Sequence, residues 1–131
     1  MNSINIKTAS RTEFVNITQD VQKVVSESKV KSGVCYVYVP HTTAAVTINE
    51  GADPSVERDI QTMFNSLIPR DAGYRHMEGN SDAHIKTSIV GSSEMIIIDG
   101  GKLQLGTWQA IFFCEFDGAR SRRVTVKIMA D

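Results

Sequence analysis

Trp108-Gln109-Ala110-Ile111-Phe112-Phe113-Cys114-Glu115-Phe116-Asp117-Gly118-Ala119-Arg120-Ser121-Arg122-Arg123-Val124-Thr125-Val126-Lys127-Ile128-Met129 holds two β-rich runs on either side of a turn dipeptide. Val124, Val126 and Ile128 alternate with Thr125 and Lys127, the period of a strand with one face on a core. Asp117-Gly118 between the runs is a strong hairpin signal. The stretch therefore predicts two long strands, 108–116 and 122–129, joined at that tip.

Outward from it, residues 1–10 alternate with Ile4, Ile6 and Thr8 on one side and read as a first strand, with 13–17 continuing extended. Thr18 offers an N-cap for a helix that carries Ile17, Val21, Val24, Val25 and Ser28 at helical spacing, and Gly33 is expected to stop it. Val34 to Val39 is β-branched and aromatic throughout, which predicts a central strand buried on both faces. Ala45 to Ile48 reads as another short strand. Asp53-Pro54 opens a helix with the apolar stripe Val56, Ile60, Met63, Phe64 and Leu67, ended by Pro69. Residues 70–80 form an exposed loop by composition. Ser81 or Asp82 caps a short helix through Val90, with Ile85 and Ile89 expected inward. Glu94 to Ile98 is a strand and Gly100-Gly101 a turn. The sum is a single α+β domain over 1–131, its mostly antiparallel or mixed sheet packed with about three helices.

A chain of 131 residues suits one such domain, with roughly two-thirds of the unfolded surface buried. The hydrophobic share of 41% and charged share of 22% are those of a soluble globular protein. Fourteen Lys and Arg against fifteen Asp and Glu leave a net charge of −1, so neither nucleic acid nor an anionic membrane is an expected partner. No apolar run approaches the ~18 residues of a membrane helix, and residues 1–5 lack the pattern of a signal peptide. Cys35 and Cys114 sit in apolar runs and read as reduced core residues, which makes the cytoplasm the expected compartment.

The three histidines stand in polar, small-residue stretches. His41 lies in Pro40-His41-Thr42-Thr43-Ala44, and His76 and His84 bracket a segment rich in Gly, Asn, Ser and Asp. Imidazole titrates near neutral pH and is the commonest metal ligand, so this placement points to chemistry. The eight-residue spacing from His76 to His84 matches no local metal pattern. Asn49, Glu50 and Asp53 sit between a strand and a helix start, where free N–H groups suit phosphate oxygens. Asp53 reads as a cap, whereas Glu50 falls before the cap position. Such carboxylates beside a histidine can hold a divalent cation or act as general base. Ser88 is the i+4 neighbour of His84, while Lys86 reads as ordinary surface charge. Leu105-Gly106-Thr107-Trp108-Gln109 is either a turn with the Trp packed over it or a wall of the site or of a subunit contact. The cluster Arg120, Arg122 and Arg123 is equally a solvated charge run or an anion clamp, since Arg suits bidentate phosphate contacts.

The segment from Ser93 to Ile111, with Asp99-Gly100-Gly101-Lys102 and Gly106-Thr107-Trp108-Gln109 inside it, resembles the YjbQ family, also called UPF0047 or the secondary thiamine-phosphate synthase family. His41-Thr42-Thr43-Ala44, Asn49-Glu50 with Ala52-Asp53-Pro54, and Ala83-His84-Ile85-Lys86 look like further motifs of that family, so the likeness covers nearly the whole chain. Many members have Pro where this chain has Ala119. The resemblance implies an α+β homotrimer with a pocket near subunit boundaries. It also implies weak thiamine-phosphate synthesis, joining hydroxymethylpyrimidine diphosphate to a thiazole phosphate with release of diphosphate. On that reading His41, Glu50, Asp53 and His84 are the expected catalytic residues. Thr42, Thr43, Asn49, Ser88 and Arg120 would bind the phosphorylated substrate, and His41, His76 and His84 would hold a divalent ion, Zn²⁺ or Mg²⁺. Imidazoles favour Zn²⁺, whereas a synthase of this kind would ordinarily use Mg²⁺. That tension leaves two rivals, a metal-dependent hydrolase of a small phosphorylated metabolite and a non-catalytic trimer that binds metal or anions.

Overall fold

Strand β7 (Gln109–Glu115) is the hub of the molecule, because both of its edges and both of its faces are covered. In the computed structural model, which describes residues 2–131, it pairs antiparallel with β2 (Glu13–Asn16) and with β4 (Ala44–Glu50). This three-stranded sheet stands apart from a five-stranded one in the order β1-β8-β3-β5-β6. Those strands are β1 (Asn2–Lys7), β3 (Ser32–Tyr38), β5 (Ser93–Asp99), β6 (Lys102–Leu103) and β8 (Ser121–Ala130). Met1, the first residue of the expected N-terminal strand, lies outside the described residues. Three helices complete the described chain: α1 (Thr18–Ser28), α2 (Pro54–Leu67) and α3 (Ser81–Val90). The expected α+β domain with antiparallel sheets and three helices is what forms.

Two apolar clusters hold the layers together. Cys35, Val37, Ile96, Ile98, Val124 and Val126 of the larger sheet meet Val46, Ile111 and Phe113 of the smaller one, with Val21 and Val25 of α1. On the opposite face of the smaller sheet, Ala45, Phe112, Cys114 and Phe116 pack on Ala83 of α3, with Phe14 and Phe64 against them. Each of the large side chains buried here contributes about 1.5–3 kcal/mol of transfer free energy. Both cysteines are buried and unpaired, as expected, and burial pushes the Cys35 thiol up to about 11.

The predicted hairpin does not form. β7 and β8 belong to different sheets, and residues 116–120 are the corner where the chain crosses between them. The reason is edge occupancy: β7 has already given its two edges to β2 and β4, and β8 lies between β1 and β3. Other local expectations also shift. Ile17, not Thr18, stands at the cap of α1, and Asn16 Oδ1 accepts from the Thr18 N–H. The helix stops at Lys29 in the left-handed region (φ 61°), four residues before Gly33, which lies inside β3. β3 is central but buried on one face only, leaving Tyr36 and Tyr38 exposed. In α3 the expected inward residues Ile85 and Ile89 face out. Asp82, Ala83, Lys86 and Thr87 are buried instead, so Lys86 is not a surface charge.

Candidate functional site

β3 stops pairing with β8 at Tyr38, opposite Thr125. Continued register would set Pro40 against Arg123, but proline has no N–H to extend a ladder and the chain turns away. The Arg123 N–H is left facing His41, whose Nε2 accepts it at 3.1 Å. Thr42 and Thr43 then lead into β4. The Thr43 hydroxyl accepts from Arg122 Nη2 at 2.8 Å, while Arg122 Nε donates to Glu115 Oε1 at 2.9 Å. Glu115 is fully buried and Arg122 nearly so. Thr8 locks the same corner, its hydroxyl donating to Glu115 Oε1 at 2.8 Å and accepting from the Arg120 N–H at 3.0 Å.

A second buried ion-pair group anchors α3 beside this corner. Asp82 accepts from both terminal nitrogens of Arg11, at 3.2 and 3.0 Å, and from Lys86 Nζ at 3.2 Å. Lys86 Nζ also donates to Asn65 of α2 at 2.9 Å. At the start of α3, Asn80 Nδ2 donates to Asp117 Oδ2 at 2.8 Å, and Arg120 reaches that oxygen at 3.1 Å. Together these ties place His84, in the first turn of α3, across from His41.

The space between them is an open polar cavity of about 560 Å³, lined by His41, Thr42, Thr43, His84, Arg120 and Arg122 together with Tyr38, Glu78, Asn80 and Asp117. Burial, and then the nearby Arg122 cation, hold the His41 imidazole below its ordinary pKa, so the ring is neutral at pH 7. The cavity thus offers two guanidiniums, hydroxyls and a neutral imidazole as donors suited to phosphate oxygens, beside the carboxylates of Glu78 and of Asp117, the latter paired with Arg120.

The structure brings together His41, His84, Thr42, Thr43 and Arg120 of the expected site. His76 lies to one side: its ring meets that of His84 edge-on at 5.5 Å between centroids, and its Nε2 is 3.6 Å from Glu78 Oε2. Among the described residues no group of three or more His, Cys, Asp or Glu is placed to hold a metal ion, so the three imidazoles do not make a ligand set within one chain. Asn49, Glu50 and Asp53 are not at this cavity. They end or follow the seven-residue β4, about 20 Å from the His41 end. Glu50 Oε2 accepts from the backbone N–H groups of Ala52 (2.7 Å) and Asp53 (3.3 Å), so it closes the turn into α2 after all. Asp53 caps α2 as expected, accepting from the Ser55 N–H at 2.9 Å. Asn49 borders a separate apolar groove with Thr47, Ile60 and Phe64. Ser88 only donates to the His84 carbonyl at 2.9 Å.

Asn80 and Asp117 line the cavity but are not among the expected site residues, and Arg122, expected only as part of the cluster Arg120, Arg122 and Arg123, lines it too. Arg122 was one of three equivalent arginines until β8 alternation and Glu115 turned it inward. Trp108 is exposed rather than packed over its turn, which is closed by Gln109 Oε1 on the Gly106 N–H at 2.8 Å.

The family model described as UPF0047 protein YjbQ-like matches residues 2–131. A UPF0047 protein of Methanocaldococcus jannaschii is 58% identical, the match covering 96% of this chain and 91% of that protein. The UPF0047 protein YugU of Bacillus subtilis is 46% identical over 98% of both chains. A solved structure of a conserved YjbQ/UPF0047 family protein from Clostridium acetobutylicum superposes with a TM-score of 0.97 at 52% identity, covering 98% of this chain and 100% of that one. A YbjQ-like protein from Sulfolobus solfataricus, described as of unknown function, superposes with a TM-score of 0.95 at 34% identity, covering 99% and 96%.

Proposed function

Since this chain belongs to the UPF0047 protein YjbQ-like family, we propose that it joins hydroxymethylpyrimidine diphosphate to a thiazole phosphate, releasing diphosphate, at the cavity between β3 and α3. The observation that carries the reading is the convergence of His41, His84, Arg120 and Arg122 on one open polar cavity. In the reaction the C–O bond at the pyrimidine methylene breaks, its electron pair leaves with diphosphate, and the thiazole nitrogen attacks the same carbon. No covalent enzyme intermediate is required. The cavity's part is to neutralise the departing diphosphate and hold the two reactants in line. Arg120 and Arg122 serve the charge, and His41 and His84 donate to phosphate oxygens. Among the described residues His76, His84 and Glu78 do not form a group placed to hold an ion, and the reading rests on the donors at the cavity.

The chain is further proposed to act as a homotrimer, a reading supported by exposed Tyr36, Met95, Ile97 and Met129 on the outer face of the larger sheet. A second functional reading, a binding protein for small anions, draws on Glu50: the expected general base faces its own backbone far from the cavity. Purified protein incubated with Mg²⁺ and both substrates is expected to yield thiamine phosphate, and His84→Ala to abolish it. Equal yields from wild type and variant would overturn the site. Diphosphate binding with no turnover by the wild type would favour the anion-binding reading.

A further inference from the structure

His41 has the residue type of a metal ligand, but its hydrogen bonding assigns it another task. A neutral imidazole has one N–H and one lone pair in the ring plane. The Arg123 backbone N–H can only donate, so the lone pair it meets at 3.1 Å is that of Nε2 and the ring proton sits on Nδ1. Turning the ring over would set a carbon against that N–H and strand it at the end of the β3·β8 ladder. Binding an ion through Nδ1 would move the proton to Nε2, where it would confront the same N–H.

Nδ1 has no partner among the described residues, and His41 lines the cavity. Arg122 lines it too. Its Nε and Nη2 are committed to Glu115 and Thr43, and Nη1 has no partner among the described residues. Two directed donors, each held by a buried partner or a strand end, therefore border the same space.

We propose that His41 is a binding residue that donates Nδ1–H to an anionic oxygen of the ligand, beside the Arg122 guanidinium, and that it is not a metal ligand. The identity of that anion as a phosphate rests on the reading given under Proposed function. Protein labelled with ¹⁵N-histidine is examined at pH 7 by long-range ¹H–¹⁵N correlation, alone, with Zn²⁺ and with inorganic diphosphate. Calorimetry then compares diphosphate binding by wild type, His41→Ala and His41→Asn, whose amide nitrogen stands where Nδ1 was.

His41 is expected as the Nδ1–H tautomer, unmoved by Zn²⁺ and shifted by diphosphate. Binding should weaken about tenfold in His41→Ala and recover to within about threefold in His41→Asn. An Nε2–H tautomer, Zn²⁺ on the His41 ring, or equal losses in both variants would overturn the proposal. Wild-type protein that binds no diphosphate while keeping the Nδ1–H tautomer and its indifference to Zn²⁺ would remove the phosphate reading and still support His41 as a donor rather than a ligand.

Discussion

Two carboxylates with no exposed surface, Glu115 and Asp82, hold Arg122 and helix α3 beside the cavity. Burial alone would raise both pKa values. The Arg122 guanidinium on Glu115, and Arg11 with Lys86 on Asp82, outweigh it and hold both below their ordinary values. A carboxylate lowered in the folded state stabilises the fold above its unfolded pKa, about 4. That contribution is lost as pH falls through the lower folded value. The urea midpoint should therefore stay level from pH 7 to about 5 and fall steeply below about 4. A midpoint unchanged down to pH 3 would show that neither pair contributes. Removing one partner is costlier than acid, because the other charges stay buried. Asp82→Asn is expected to lose about 3 kcal/mol, read from urea unfolding, since Lys86 would keep only Asn65 and one amide oxygen.

The elements show where local signals suffice and where they stop. Asp53-Pro54 marked the start of α2 because capping is written within four residues, and the structure keeps it. Asp117-Gly118 misled because a turn dipeptide specifies a change of direction and not which strand receives the chain. That is decided by the occupied edges of β7, a tertiary fact. The α3 face was inverted for a similar reason. Ile85 and Ile89 satisfy helical periodicity, yet the ion pairs of Asp82 and Lys86 fix the other face inward. The polar settings of the histidines pointed to His41 and His84 but equally to His76, which the structure sets to one side, and Arg122 needed the β8 register to be told from Arg120 and Arg123. Gly33 gives a test at this scale. Its φ of 159° is extended backbone that any residue adopts, but a Cβ there would lie 2.1 Å from the Met129 carbonyl oxygen on β8. Gly33→Ala must push β3 from β8 and should cost about 1–3 kcal/mol, seen as a lower thermal midpoint. An unchanged midpoint would mean that β3 and β8 separate at this point without cost.

For the whole molecule the unresolved demand is the outer face of the larger sheet. Across β5, β3 and β8 the register sets Met95, Tyr36 and Lys127 in one row and Ile97, Val34 and Met129 in the next. Met95, Ile97 and Met129 are each more than half exposed, and they adjoin exposed Tyr36 and Tyr38. Scattered apolar residues on a surface call for no explanation, but a contiguous block over three strands is the kind of surface that the proposed trimer would cover. Tyr38 belongs to this face and also borders the His41 cavity, so whatever covers the sheet stands at the cavity's edge. If three copies meet there, assembly and ligand binding are coupled through Tyr38. Ile97→Glu places a charge in the middle of the block, on a strand whose inner face, Ile96 and Ile98, is untouched. Light scattering should then report three chain masses for the wild type and one for the variant, with circular dichroism unchanged. Diphosphate affinity should fall in the variant although Ile97 lines no part of the cavity. A wild type of one chain mass would remove the trimer, and a monomeric variant with full affinity would show that one chain completes the cavity by itself.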